Sequence, residues 1–275
     1  MKLNYFIPLI LITLIPFISC NTMNRGGAMS YDSLNMVETT PMINDYGKTI
    51  LERFDTPLSF ERVALKSGSF GEYLRTLNLK PEGAPARMYD GKAKPNPNIY
   101  VSVVDLPISP KDLQSSADAI IRLRAEYLFA QKQYDRISFH SGKNIYSFTE
   151  FSKGDNSKDK FNEYLDYVME EITTPAFCEE LIPVKLKDMK VGDIFIQKNN
   201  PNGHAVIVVD MAKNHKGEKL FLLAQSYQPA QEIQILSNPT RDDISPWYEA
   251  EEGAMLTPEW RFLTSDLMRF KDLKD

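Results

Sequence analysis

The sequence predicts an α+β fold in which an antiparallel sheet packs against one long helix. Three observations carry this: helical patterns come first, a run of strand patterns follows, and a short polar turn joins two of the strands. A doubly wound parallel sheet would instead alternate strand and helix throughout. The chain has 275 residues, 43% of them hydrophobic, enough for one sizeable core. The expected layout is a leader over residues 1–19, a tether over 20–47 and one α+β domain over 48–275.

Phe60–Leu65 has the β-rich composition of a strand, and Ser69-Phe-Gly-Glu72 is a capping box opening a short helix through Leu77. Pro and Gly between Lys80 and Asn98 mark a surface loop, and Ile99–Leu106 is the next strand. Ser109-Pro110 followed by Asp112 supplies an N-cap, a Pro at the first helical position and an acid in the first turn. The longest helix is therefore expected from there to about Tyr134. Its stripe comprises Leu113, Ala117, Ile120, Ile121, Leu123, Tyr127 and Leu128, with Ser116 beside it. Residues 152–159 form a loop before a helix from Phe161 to about Met169. Strands follow at Val191–Gln197, Gly203–Asp210, Lys219–Gln225 and Ala230–Leu236, with a hairpin turn at Asn214–Gly217.

Composition excludes several classes of function. The formal charge is -5 with no block of Lys or Arg, so a nucleic-acid footprint is missing. No internal repeat and no glycine-rich phosphate loop occurs: Gly203 has no Lys-Ser/Thr sequel. His140 and His215 have no Cys, His or carboxylate neighbours at metal-ligand spacing, so neither a metal nor any other cofactor is expected.

At the N-terminus, Lys2 precedes an apolar run from Phe6 to Ile18 that is too short to span a bilayer. The run reads as a signal peptide. Phe17-Ile-Ser-Cys20 resembles a bacterial lipobox, with Phe where Leu is usual. That resemblance implies lipidation of Cys20 and attachment to a membrane through acyl chains. Asn21 after the Cys resembles the outer-membrane sorting pattern of two-membrane bacteria. Only Cys178 would then stay unmodified, so an internal disulfide is not expected.

Gly192-Asp193, a strand, a Gly/Asn/Pro loop and Gly203-His204 entering a Val/Ile strand resemble the NlpC-type papain-like cell-wall peptidases. The resemblance implies a nucleophile at a helix N-terminus, His204 as its base and Gln225 as the residue orienting the imidazole. Over almost its whole exported length the chain resembles more closely the bacterial envelope family called domain of unknown function 4846, through longer matches. They are Gly68–Leu74, Ala117–Leu128, Gly203–Met211, Leu222–Gln231, Ser245–Tyr248 and Thr257–Trp260. The position before Ala117, where relatives can carry Cys, holds Ser116.

Three readings fit Ser116, His204 and Gln225. They form a Ser-dependent hydrolase site, a cleft that binds a cell-wall peptide or peptidoglycan fragment without turnover, or a set of ordinary structural residues in a non-enzymatic scaffold. Cys178 is a rival nucleophile, but the adjacent Glu179 and Glu180 would raise its pKa. Arg122, Arg124 and Glu126 read as a solvated helix face or, more sharply, an anion contact. Trp247, Tyr248 and Trp260 read as core residues or a sugar platform. Asp193 and Asp210 flank the central strands, where Gly-Asp before a strand reads as a turn or, more sharply, as part of a ligand pair.

Overall fold

A computed structural model describes residues 42–198 and 203–273. The expected leader over 1–19, the expected lipidation site Cys20 and the expected tether as far as residue 41 lie outside the described residues. In chain order the elements are α1 (Ile50–Arg53), β1 (Phe60–Arg62), α2 (Phe70–Arg75), β2 (Tyr100–Val103), α3 (Ser116–Ala130), β3 (Ser138–Ser141) and β4 (Asn144–Ser147). Then come α4 (Phe148–Ser152), α5 (Lys158–Glu171), α6 (Thr174–Cys178), β5 (Leu181–Pro183), β6 (Ile194–Gln197), β7 (His204–Asn214) and β8 (Lys219–Gln225). The chain closes with β9 (Gln234–Leu236), β10 (Tyr248–Glu249), β11 (Ala254–Leu256), β12 (Arg261–Leu263) and β13 (Leu267–Phe270).

The fold is α+β. Its main sheet runs β2-β9-β8-β7-β6-β13-β5, with β1 added to β7 and β10 to β8, and every pairing is antiparallel. β7 is the spine because it is long enough to pair with β6 near its start, with β8 over most of its length and with β1 at its far end. Its first nine residues are all buried, so the Val/Ile run lies in a covered central strand rather than alternating between core and water. α2 and α3 pack against β7, and α3 also touches β8. A separate aromatic cluster joins Phe129 of α3 to Phe148 of α4 and Phe161 of α5, the closest pair of centroids being 4.2 Å apart.

α3 begins at Ser116, not near Pro110 as the capping residues there suggested. Tertiary hydrogen bonds hold the intervening segment out of the helix: Asp112 Oδ1 accepts from Ala230 N at 2.6 Å, and Gln114 Nε2 donates to Gln231 O at 3.0 Å. The cap is Ser115, whose N–H and hydroxyl both donate to Asp118, three residues on. Leu113 accordingly lies outside the helical stripe. α5 starts at Lys158, three residues ahead of the expected Phe161, because Ser157 caps it by accepting from Lys160 N.

Arg122, Arg124 and Glu126 do not form a solvated face; all three are buried. Asp193 and Asp210 are not simple turn residues either. Arg269 reaches Asp193 through Nε at 2.6 Å and Nη2 at 2.9 Å. Asp210, fully buried, takes Arg62 Nε at 2.8 Å and Arg75 Nε at 2.6 Å. Trp247 and Tyr248 are core residues, and Trp247 Nε1 donates to Asp55 O. No helix among the described residues is long and apolar enough to cross a membrane.

Candidate functional site

Gly203 starts the site. Its φ of +69° suits glycine, and a Cβ would fall 2.7 Å from Gln197 O, so the chain can turn sharply into β7 only with no side chain there. The next residue, His204, faces into the protein and is 2% exposed. In the β7–β8 ladder Ile207 lies opposite Ala224. Extending that register by one pair sets Gln225 across from Val206. A step of two along β7 keeps the same face, so His204 and Gln225 are diagonal neighbours. Their side chains meet: His204 Nε2 and Gln225 Oε1 are 2.9 Å apart.

The other edge of the Gln225 amide is held too. Gln225 Nε2 donates to Glu259 Oε2 at 2.6 Å, and the buried Lys94 donates to the same oxygen at 2.8 Å and to Gln231 Oε1 at 2.7 Å. A carboxylate only accepts, so the amide must turn its NH2 toward Glu259 and its carbonyl toward His204. The neutral imidazole then carries its proton on Nε2, which leaves the lone pair on Nδ1. Lys94 also lies 5.2 Å from the Tyr227 ring centroid. Burial pulls its pKa down, while the Glu259 carboxylate opposes that shift.

Aromatic rings enclose the imidazole. The ring centroids of Trp260 and Tyr227 each lie 5.0 Å from that of His204, and that of Phe262 lies 5.8 Å away. Trp260 Nε1 in turn donates to Gln197 Oε1. Burial, the largest influence, lowers the His204 pKa to about 4; the bond to Gln225 opposes the shift and the charge of Lys94 adds to it. His204 is therefore neutral at pH 7 and a weak base.

Ser116 is the first residue of α3, at the positive end of a 15-residue helix. Its hydroxyl oxygen accepts from the main-chain N–H of Ala205 at 3.2 Å. Of the three residues singled out from the sequence, His204 and Gln225 are directly bonded. Ser116 meets the same strand one residue further on, through its main chain rather than the imidazole. All three are buried.

Behind this contact, Ser226 Oγ lies 3.0 Å from Gln114 O and 2.7 Å from Gln231 O, tying the turn before α3 to the segment after β8. Lys94, Glu259 and Gln231 escape a reading of the sequence. Glu259 and Gln231 stand inside stretches that carry the family resemblance, whereas nothing in the loop around Lys94 marks it.

Elsewhere, Cys178 at the end of α6 is buried, and burial pushes its thiol pKa up, which makes it less reactive. His140 Nδ1 lies 2.6 Å from Glu180 Oε1, and His215 is exposed in the β7–β8 turn. Among the described residues no group of three or more His, Cys, Asp or Glu is placed to hold a metal ion.

The family model described as Domain of unknown function (4846) matches residues 50–156 and 141–269. The chain belongs to this family. The first of the two matched stretches contains Lys94 and Ser116; the second contains His204, Gln225 and Glu259, so every member of the network falls inside the family region. No curated protein and no solved structure matches the chain.

Proposed function

We propose that this member of the 4846 family is a lipid-anchored bacterial envelope protein that binds a cell-wall peptide or peptidoglycan fragment at a papain-like site. The observation that carries the reading is the His204–Gln225 bond beside the contact of Ser116 with Ala205. The amide on β8 bonds the strand-borne imidazole, and the hydroxyl at the helix N-terminus bonds the next residue of the same strand, Ala205. The resemblance to NlpC-type peptidases assigns those three places to nucleophile, base and orienting residue.

Binding is favoured over turnover by three features. A hydroxyl is harder to deprotonate than a thiol, and the base is weakened by its burial. In addition, the Ser116 oxygen is engaged by a main-chain N–H instead of the imidazole. Anchoring would come from lipid on Cys20, with the outer membrane as the location suggested by Asn21. The aromatic enclosure of His204 favours one second reading, a non-enzymatic envelope scaffold in which the three residues are structural.

A ligand reaching His204 must displace Tyr227 or Trp260, which makes Trp260 fluorescence a direct readout. Titration of the full chain with purified muropeptides should change the emission saturably, and the change should vanish in Trp260→Phe. Absence of any saturable change, together with no retention of the protein on insoluble peptidoglycan, would move the assignment to the scaffold.

A further inference from the structure

The imidazole of His204 is covered by a piece of chain that is itself shallowly buried. β11 and β12 form a two-stranded hairpin that pairs with no strand of the main sheet among the described residues. Of the ten residues from Ala254 to Leu263 only Thr257 and Phe262 are buried. Ala254, Leu256, Arg261 and Leu263 are all exposed. Yet this hairpin supplies Trp260 and Phe262, two of the three rings around His204, and Glu259, the carboxylate that fixes the Gln225 amide.

The hairpin closes on itself. Its strands pair Ala254 with Leu263, Met255 with Phe262 and Leu256 with Arg261. Its turn is tied by Thr257 N donating to Trp260 O at 2.8 Å and by Trp260 N donating to Thr257 Oγ1 at 3.0 Å. The two ends meet at Gly253 and Thr264, where Thr264 N donates to Gly253 O at 2.9 Å and Gly253 N to Thr264 Oγ1 at 3.2 Å. Gly253 has a φ of +116° and open space where a Cβ would lie. A unit joined in this way can turn about its base without breaking its own ladder.

Few groups fasten it to the body of the protein. One amide, that of Gln197 on β6, accepts from Trp260 Nε1 at 3.0 Å and donates to Arg261 O at 3.2 Å and to Asp266 Oδ2 at 2.7 Å. Glu259 accepts from Gln225 and Lys94, and the Phe262 ring packs on Phe195 with centroids 6.1 Å apart. A segment with so little buried surface belongs to the low-stability end of a fold, from which moving covers of binding sites are drawn.

We propose that the 254–263 hairpin is a lid on the His204 site, hinged at Gly253 and Thr264 and latched by Gln197. Because the lid carries Glu259, lifting it uncovers His204 and frees the Gln225 amide in one motion, and closing it over a ligand restores the aligned imidazole. The proposal rests on the reading of His204 as part of a binding site, but its test uses no ligand, so the two fail separately.

The test is acylation of histidines in the full chain by diethyl pyrocarbonate at pH 7, read by mass spectrometry with the exposed His215 as reference. His204 of the wild type should react far more slowly than His215, at a rate scaled by the fraction of open lid. That rate should be insensitive to urea below the unfolding transition, because lifting the hairpin exposes little surface. Gln197→Ala should raise it by about tenfold or more through the loss of two hydrogen bonds to the lid, with the rate at His215 unchanged and the insensitivity to urea kept. The wild-type urea dependence decides the matter even if the variant does not fold. The lid is overturned if His204 reacts only in step with global unfolding, if it reacts as fast as His215 in the wild type, or if a folded Gln197→Ala reacts no faster than the wild type.

Discussion

Gln225 joins His204 to Glu259 through opposite edges of one amide, at 2.9 Å and 2.6 Å. The carboxylate decides which way the amide faces, and the amide decides which imidazole nitrogen keeps the proton. Glu259 therefore governs His204 without touching it. In ¹⁵N-resolved NMR of the histidine side chains at pH 7, His204 should show a single tautomer protonated on Nε2. Glu259→Leu should let the amide rotate and introduce the Nδ1-protonated form. A wild-type ring protonated on Nδ1 would contradict the assignment.

Two buried groups near the site should give stability opposite dependences on pH. The His204 pKa is lowered to about 4, below its unfolded value near 6.5, so between these values the unfolded chain binds more protons. Its contribution is full above about pH 6.5 and is lost as pH falls through 4, an effect of about 3 kcal/mol in total. Asp118, beside the cap of α3, has its pKa raised to about 6 by burial, against the hydrogen bonds from Ser115. Its contribution is full below about pH 4 and is lost as pH rises through 6, again by about 3 kcal/mol.

The wild type should therefore show a nearly flat contribution from this pair between pH 4 and 6. Urea unfolding over that range should find stability rising more steeply with pH in Asp118→Asn. In His204→Phe it should fall with pH relative to wild type. Parallel profiles for the three proteins would refute the shifts.

Asp210 is the most deeply committed carboxylate in the structure's ion pairs, buried between Arg62 and Arg75. Its replacement strands two guanidinium groups, one of them almost as buried. Asp210→Ala should lower the unfolding free energy by about 3–5 kcal/mol, the usual result of removing one partner of a buried pair. The exposed Lys92–Asp90 pair, screened by water, should contribute far less. Chemical denaturation of Asp210→Ala and Asp90→Ala side by side checks the contrast, and equal losses would disprove it.

The sequence was most informative where local pattern and tertiary demand agree. β8 begins and ends at Lys219 and Gln225 as expected, since its β-rich composition, the turn before it and the buried sheet all favour extended chain. The start of α3 misleads because Asp112 and Gln114 are drawn to the segment after β8, hundreds of atoms away along the chain, and only the later Ser115–Asp118 cap survives. Arg122 and Glu126 mislead for a related reason. Helical spacing shows which residues share a face but not that another segment covers a charged one. His204 and Gln225 could be paired from strand order alone, whereas Lys94 and Glu259 are 165 residues apart and meet only in three dimensions.

In the proposed function Ser116 takes the nucleophile's place of a papain-like site. The most direct measurement is mass spectrometry of peptidoglycan and muropeptides incubated with wild type, Ser116→Cys and Ser116→Cys/His204→Ala. Ser116→Cys alone should cleave, at least about a hundredfold faster than wild type, with the second substitution abolishing the gain as loss of the general base requires. Silence from a folded Ser116→Cys would contradict the claim, and wild-type cleavage abolished by Ser116→Ala would replace it with a working serine hydrolase.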